Sequence, residues 1–168
     1  MTTNTQLTGY EGFDQAVLEN IPRLAKLGFT DYTREEIVAK GARAGEIDCK
    51  YLFRSVSSPR MIKFSAARNV TLCQMSVFRD ERTLLPMPIG DTVKGRSSFG
   101  LDEYFLKLKR TDLDDLNSTR KSTSAGPGAI EYYRKYISIC LDVIESDLLD
   151  VVQGKRWEIV PVDWMGYK

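Results

Sequence analysis

Eight apolar residues in the last third constrain this chain more than any other feature. Ile130, Tyr133, Ile137, Cys140, Leu141, Ile144, Leu148 and Val151 recur at three- and four-residue steps, which puts them on one face of an α-helix. The spacing predicts a helix of about seven turns. Glu131 and Lys135 stand four apart in the favourable order on its polar side. Gly154 is placed to end it, with Lys155 and Arg156 complementing its carbonyl end. Asp142, Glu145, Asp147 and Asp150 fall on the solvated side. A face this wide must lie against another layer, so the question becomes what the rest of the chain supplies.

The middle third supplies strands. Lys50–Val56 and Met61–Phe64 are short, rich in aromatic and β-branched residues, and separated by Ser57-Ser58-Pro59. From Asn69 to Phe78, Thr71, Cys73, Met75 and Val77 alternate against a second face. Helix competes over residues 60–80, where Ala66, Ala67, Arg68 and Met75 all favour it. Pro86 and Pro88 confine Thr83–Ile89 to an edge or an extended loop. Residues 90–100 read as a polar loop, Phe105–Lys109 as a strand or a helix end, and residues 117–128 as a flexible loop carrying Gly126-Pro127-Gly128.

The N-terminal third reads as helical. Thr8 and Glu11 have capping-box spacing, and Phe13, Val17, Ile21 and Leu24 share one face. Pro22 must restart that helix, with Asn20 as the new cap, and Gly28 closes it. Thr33 and Glu36 repeat the capping-box spacing and predict a short surface helix that fades between Gly41 and Gly45. The expected fold is α+β, one domain over residues 1–168: N-terminal helices, a central antiparallel sheet, and the long C-terminal amphipathic helix packed on it. An all-α domain is the alternative.

The chain contains no histidine among its 168 residues. That removes the usual base of serine and cysteine hydrolases and the commonest metal ligand. The three cysteines, Cys49, Cys73 and Cys140, form no C-x-x-C pair, and Cys140 reads as a core residue. Neither a metal site nor a cofactor is predicted, and no catalytic residue can be assigned. Asp112, Asp114 and Asp115 suggest a cation site, but the favoured reading is an ordinary helix start, where carboxylates suit the dipole. With no apolar stretch long enough to span a bilayer and no basic-then-apolar leader, the expected location is cytoplasmic.

The near-neutral net charge of +1 hides an asymmetry. Lys50, Arg54, Arg60, Lys63, Arg68 and Arg79 follow one another with no acid between. Arg54, Arg60, Lys63 and Arg68, joined by Lys94 and Arg96 from the 90–100 segment, are the candidate anion-binding residues, for phosphate, nucleic acid or an acidic partner. Solvated strand faces whose cations pair with nearby acids account for the same pattern.

Tyr132, Tyr136, Trp157, Trp164 and Tyr167 are the candidate interface residues, since aromatic side chains are enriched where proteins meet. An end holding both tryptophans has to be covered, by its own sheet or by a neighbour. The function expected from these observations is a non-enzymatic interaction or assembly subunit of a larger cytoplasmic complex, self-associating or bound to a protein partner. An anion- or nucleic-acid-binding module is the alternative, and a small histidine-independent enzyme with an Arg- and Tyr-lined pocket is the third reading.

Overall fold

The computed structural model describes residues 10–38, 47–67, 73–79, 98–102, 104 and 129–157. Two short helices, α1 (Glu11–Glu19) and α2 (Ile21–Lys26), lead into five strands: β1 (Phe29–Val38), β2 (Ile47–Ser55), β3 (Met61–Ala67), β4 (Cys73–Phe78) and β5 (Ser98–Gly100). The long helix α3 (Ile130–Ser146) and a final turn, α4 (Leu149–Val152), follow. The fold is α+β. The five strands form one antiparallel sheet in sequential order, β1-β2-β3-β4-β5, so residues 61–67 and 73–78 are strand and the all-α alternative is excluded.

Alternation sorts the sheet into two faces. Cys49, Tyr51 and Phe53 of β2, Ile62, Phe64 and Ala66 of β3, and Cys73, Met75 and Val77 of β4 face the helices in one continuous core. Phe13 of α1 wedges between the layers, edge-on to Tyr51 at 5.8 Å and to Tyr133 of α3 at 5.4 Å. Ile137, Leu141, Ile144 and Leu148 are all fully buried, so the stripe faces the core as its spacing predicts. On the opposite face Leu52, Met61 and Phe78 form a second, small buried cluster.

The glycine stops hold. Gly28 (φ +91°) ends α2 and Gly154 (φ +81°) ends α4, both in the left-handed region. At Gly154 the termination is a Schellman motif: Lys155 N–H donates to the Asp150 carbonyl at 2.9 Å and Gly154 N–H to that of Val151 at 3.1 Å. A Cβ at Gly154 would also lie 2.9 Å from the Ser58 side chain. Asn20 does sit at the α2 cap, but its side chain donates back to the Ala16 carbonyl at 2.8 Å rather than forward. Thr8 lies outside the described residues, as do Asp112, Asp114 and Asp115, residues 80–97 and residues 105–128; α1 begins after Tyr10 with no side-chain cap.

Three local expectations are corrected. Thr33–Glu36 is not a helix start but the middle of β1, where Asp31 pairs across to Arg54, Glu35 to Lys50 and Arg34 to Tyr51. Thr30, Thr33, Ile37 and Val38 are β-branched, and the ladder with β2 satisfies the backbone that a capping box would have served. Ser98–Gly100, inside the expected loop, forms β5 because Phe99 buries beside Val77. The seven-turn helix is broken at Asp147–Leu148. There Leu148 N–H reaches the Val143 carbonyl at 3.3 Å as well as that of Ile144 at 3.2 Å, and α4 sets off in a direction that buries Val151 and Val152 together. Among the described residues no helix is long and apolar enough to cross a membrane.

Charged straps fasten α1–α2 to α3. Arg23 bonds Glu145 at 2.6 Å and also Asp142, while Arg134 bonds Glu19 at 2.6 Å and Glu131 at 2.7 Å. The hydrogen bonds from Arg134, then that from Gln15, pull the Glu19 carboxyl from 4.5 down to about 2. A lowered folded value means the strap contributes fully above 4.5 and is lost as the pH falls toward about 2. Urea unfolding at a series of pH values should therefore show wild type and Glu19→Gln converging in stability across that window; a gap independent of pH would show that Glu19 acts other than through its charge. In the core, Ile144→Ala should lower the unfolding free energy by about 2–5 kcal/mol, read as a shift in the denaturant midpoint. An unshifted midpoint would mean that the stripe is not core.

Candidate functional site

Three groups of polar side chains stand out, and their surroundings decide what each can do. The first lies where α1 crosses β1 and β2. Asp14 is the hub: its Oδ1 accepts from Arg34 Nε and from the Tyr51 hydroxyl, both at 2.8 Å, and its Oδ2 accepts from Arg34 Nη2 at 2.9 Å. The same Nη2 reaches Glu36 at 2.9 Å, and the Cys49 thiol lies 3.9 Å from Asp14. Burial first, and the nearby carboxylates after it, push the Cys49 thiol up to about 12. Burial and its bond to Asp14 hold the Tyr51 hydroxyl above the ordinary phenol range. Both groups keep their protons at neutral pH, so this network clamps α1 to the sheet and offers no activated nucleophile. Arg34 was not a candidate from sequence, where it sat inside the supposed capping box.

The second group surrounds Arg60, just before β3. Its guanidinium is buried at 6% exposure. Nε donates to the Val151 carbonyl at 2.9 Å, Nη1 to that of Arg79 at 2.9 Å, and Nη2 to that of Arg156 at 3.0 Å. The Trp157 ring stacks on it at 4.9 Å and also meets Phe99 at 5.5 Å. Arg60 thus serves the carbonyl end of α4, helped by the Ser58 hydroxyl on the Val152 carbonyl at 3.3 Å.

The third group is the outer sheet face. Lys50 pairs with Glu35 at 2.9 Å and Arg54 with Asp31 at 4.0 Å. Lys63, between them on β3, is half-buried with its ammonium 5.3 Å from the Phe78 ring centre. Burial, and then the charge of Lys50, lower its pKa. Of the candidate anion-binding residues, the structure brings Arg54 and Lys63 onto one face and turns Arg60 into the interior. Arg68, Lys94 and Arg96 lie outside the described residues.

Of the candidate interface residues, Trp164 and Tyr167 lie outside the described residues. Tyr132 and Tyr136 are buried, at 8% and 4% exposure. The Tyr136 hydroxyl accepts from Met75 N–H at 3.1 Å and donates to Asp102 at 3.0 Å, which locks α3 to β4. Trp157 is committed to Arg60. Exposed large apolar groups sit elsewhere, and β1 has three of them: Tyr32 at 39%, Ile37 at 40% and Val38 at 60%. Among the described residues this ten-residue strand pairs on one side only, with β2, and every residue after Phe29 is exposed. Sequence reasoning missed it because a solvated edge strand lacks apolar alternation.

Comparison of the chain with protein-family models, with curated proteins and with solved structures finds no match. Among the described residues no group of three or more Cys, Asp and Glu side chains is arranged to hold a metal ion.

The Arg60 cage makes a direct prediction. Arg60→Ala leaves buried carbonyls without a donor and should destabilise by roughly 2–4 kcal/mol, whereas Arg60→Lys, with a point charge in place of a planar fork, should recover only part of that. Guanidinium unfolding of both variants is the measurement, and full recovery by lysine would show that charge alone, not the three-way geometry, is what matters.

Proposed function

We propose that this chain is a non-enzymatic interaction or assembly subunit of a cytoplasmic complex, and that it engages an extended segment of a protein partner along the free edge of β1. The observation that carries the reading is that edge: ten residues long, hydrogen-bonded on one side only among the described residues, and exposed from Thr30 onward. An unpaired strand edge presents a row of main-chain donors and acceptors to any chain that can lie beside it. Charges and a register irregularity between Phe29 and Asp31 blunt this edge without closing it.

The side chains set the chemistry of the occupant. Tyr32, Ile37 and Val38 favour apolar residues in the occupant, and Asp31, Glu35 and Glu36, although each is paired within the protein, favour basic over acidic residues between them. A second copy of the chain is less well suited. The two most complete two-fold pairings of β1 with itself that keep the helices on one side set Asp31 opposite Glu35, or Arg34 opposite its own copy. Like charges directly opposite are destabilising in a ladder.

A random peptide library displayed on phage and panned against the immobilised full chain tests the proposal. Enriched peptides should alternate basic and apolar residues, protect the outward β1 amides from hydrogen exchange, and lose binding to a Glu36→Pro variant, whose missing N–H faces the free edge and whose melting temperature is therefore little changed. Ile37→Lys, which leaves the backbone intact, should weaken binding as well. No enrichment, or enriched peptides that bind both variants normally, would overturn the proposal. Self-association through β1, seen by light scattering and abolished by Glu36→Pro, would replace the partner segment with a second copy.

A further inference from the structure

We infer that the outer face of the sheet carries a binding site for a phosphate-type oxyanion, centred on Lys63. Four donors form a compact block there. Lys63 stands directly across from Ser76, and one step along the same face Ser65 stands across from Gln74. Neighbouring positions of such a block lie about 5–7 Å apart, close enough for their side chains to converge on one small ligand. Among the described residues none of the four side chains has a hydrogen-bond or ion-pair partner.

The charge around the block points the same way. Cross-strand and diagonal neighbours of Lys63 on this face are Leu52, Lys50, Arg54 and Phe78, with no carboxylate among them. Of the described acids of this face, Glu35 and Asp31 are taken by Lys50 and Arg54, and Asp48, across from Ala67 at the far end of β2, has interactions of its own. Among the described residues no counter-charge faces the half-buried Lys63, whose ammonium lies over the face of the Phe78 ring. Ion pairs neutralise the other cations of β2, and the carbonyl cage satisfies Arg60, so Lys63 is the position where an added anion gains most. A tetrahedral oxyanion can accept from an ammonium, two hydroxyls and an amide at once, whereas a carboxylate has only two oxygens to share among them. The site is independent of the β1 edge.

The test uses the full chain and inorganic phosphate, added at constant ionic strength. Backbone amides of Ser65, Gln74 and Ser76 and the Lys63 side chain should shift saturably in the NMR spectrum. Bound phosphate should move the Lys63 titration back up toward 10.5. Lys63→Met should weaken binding roughly tenfold or more, Lys63→Arg should retain most of it, and the Ser65→Ala Ser76→Ala double variant, with the ammonium untouched, should weaken it several-fold. Glycerol phosphate in place of phosphate separates a free anion from the end of an ester. Shifts that never saturate, shifts that persist in Lys63→Met, or acetate binding as tightly as phosphate would each overturn the inference.

Discussion

The two layers are held in register by one buried guanidinium. A helix ends with carbonyls that lack intrahelical donors, and α4 ends against the turn between β2 and β3. Arg60 supplies donors to three of the carbonyls gathered there, one from α4, one from the chain beyond it and one from the end of β4. Its planar fork spreads donors over three nitrogens and so reaches three separated acceptors that the single nitrogen of a lysine could not reach together. Burying that charge is tolerated because the carbonyls carry the negative end of the helix dipole and the Trp157 ring covers what they leave. With the hairpin pinned in this way, Gly154 can approach Ser58 closely, Leu148 and Val151 stay in the core, and the sheet and helix layers meet at a fixed offset.

The same alternation that builds the core decides the fate of each cation. On β2 and β3 every second residue faces the helices, and those positions hold aromatic, aliphatic and thiol side chains. The cations between them are left on the outer face, where β1 lies alongside with its acids. Glu35 and Asp31 reach Lys50 and Arg54 across one strand, but Lys63 is one strand further in. The cations of β2 are thus paired with the acids of β1, and Lys63, in the middle of the sheet, is left apart from them.

How much of this was legible in the sequence follows from which interactions are local. The apolar stripe of α3, the strands β2 and β3, and the stops at Gly28 and Gly154 were legible because periodicity and left-handed backbone are properties of short stretches. So was the outward face of Lys63, which lies between Ile62 and Phe64. The capping-box spacing at Thr33 misled because nothing within the segment says that β2 will lie beside it. The break at Asp147 was hidden for a similar reason: the apolar positions continue through it, and only the need to bury Val152 as well as Val151 bends the chain. Arg60 looked like any other member of a basic run, since its partners are carbonyls about 20 to 100 residues away and carbonyls have no sequence signature.

The edge strand shows what such non-local pairing leaves for the proposed partner segment. On β1 the charged side chains are already engaged: Arg34 with Asp14 and Glu36, Glu35 with Lys50, Asp31 with Arg54. Those bonds hold the strand flat against β2 and under α1, so its backbone is fixed before anything binds, and little ordering entropy remains to be lost. The outward row of peptide groups and the exposed Tyr32, Ile37 and Val38 are what remain uncommitted. Recognition through such a surface depends first on the shape of an extended chain and only second on its side chains. A site of that kind needs no histidine, no metal and no activated nucleophile.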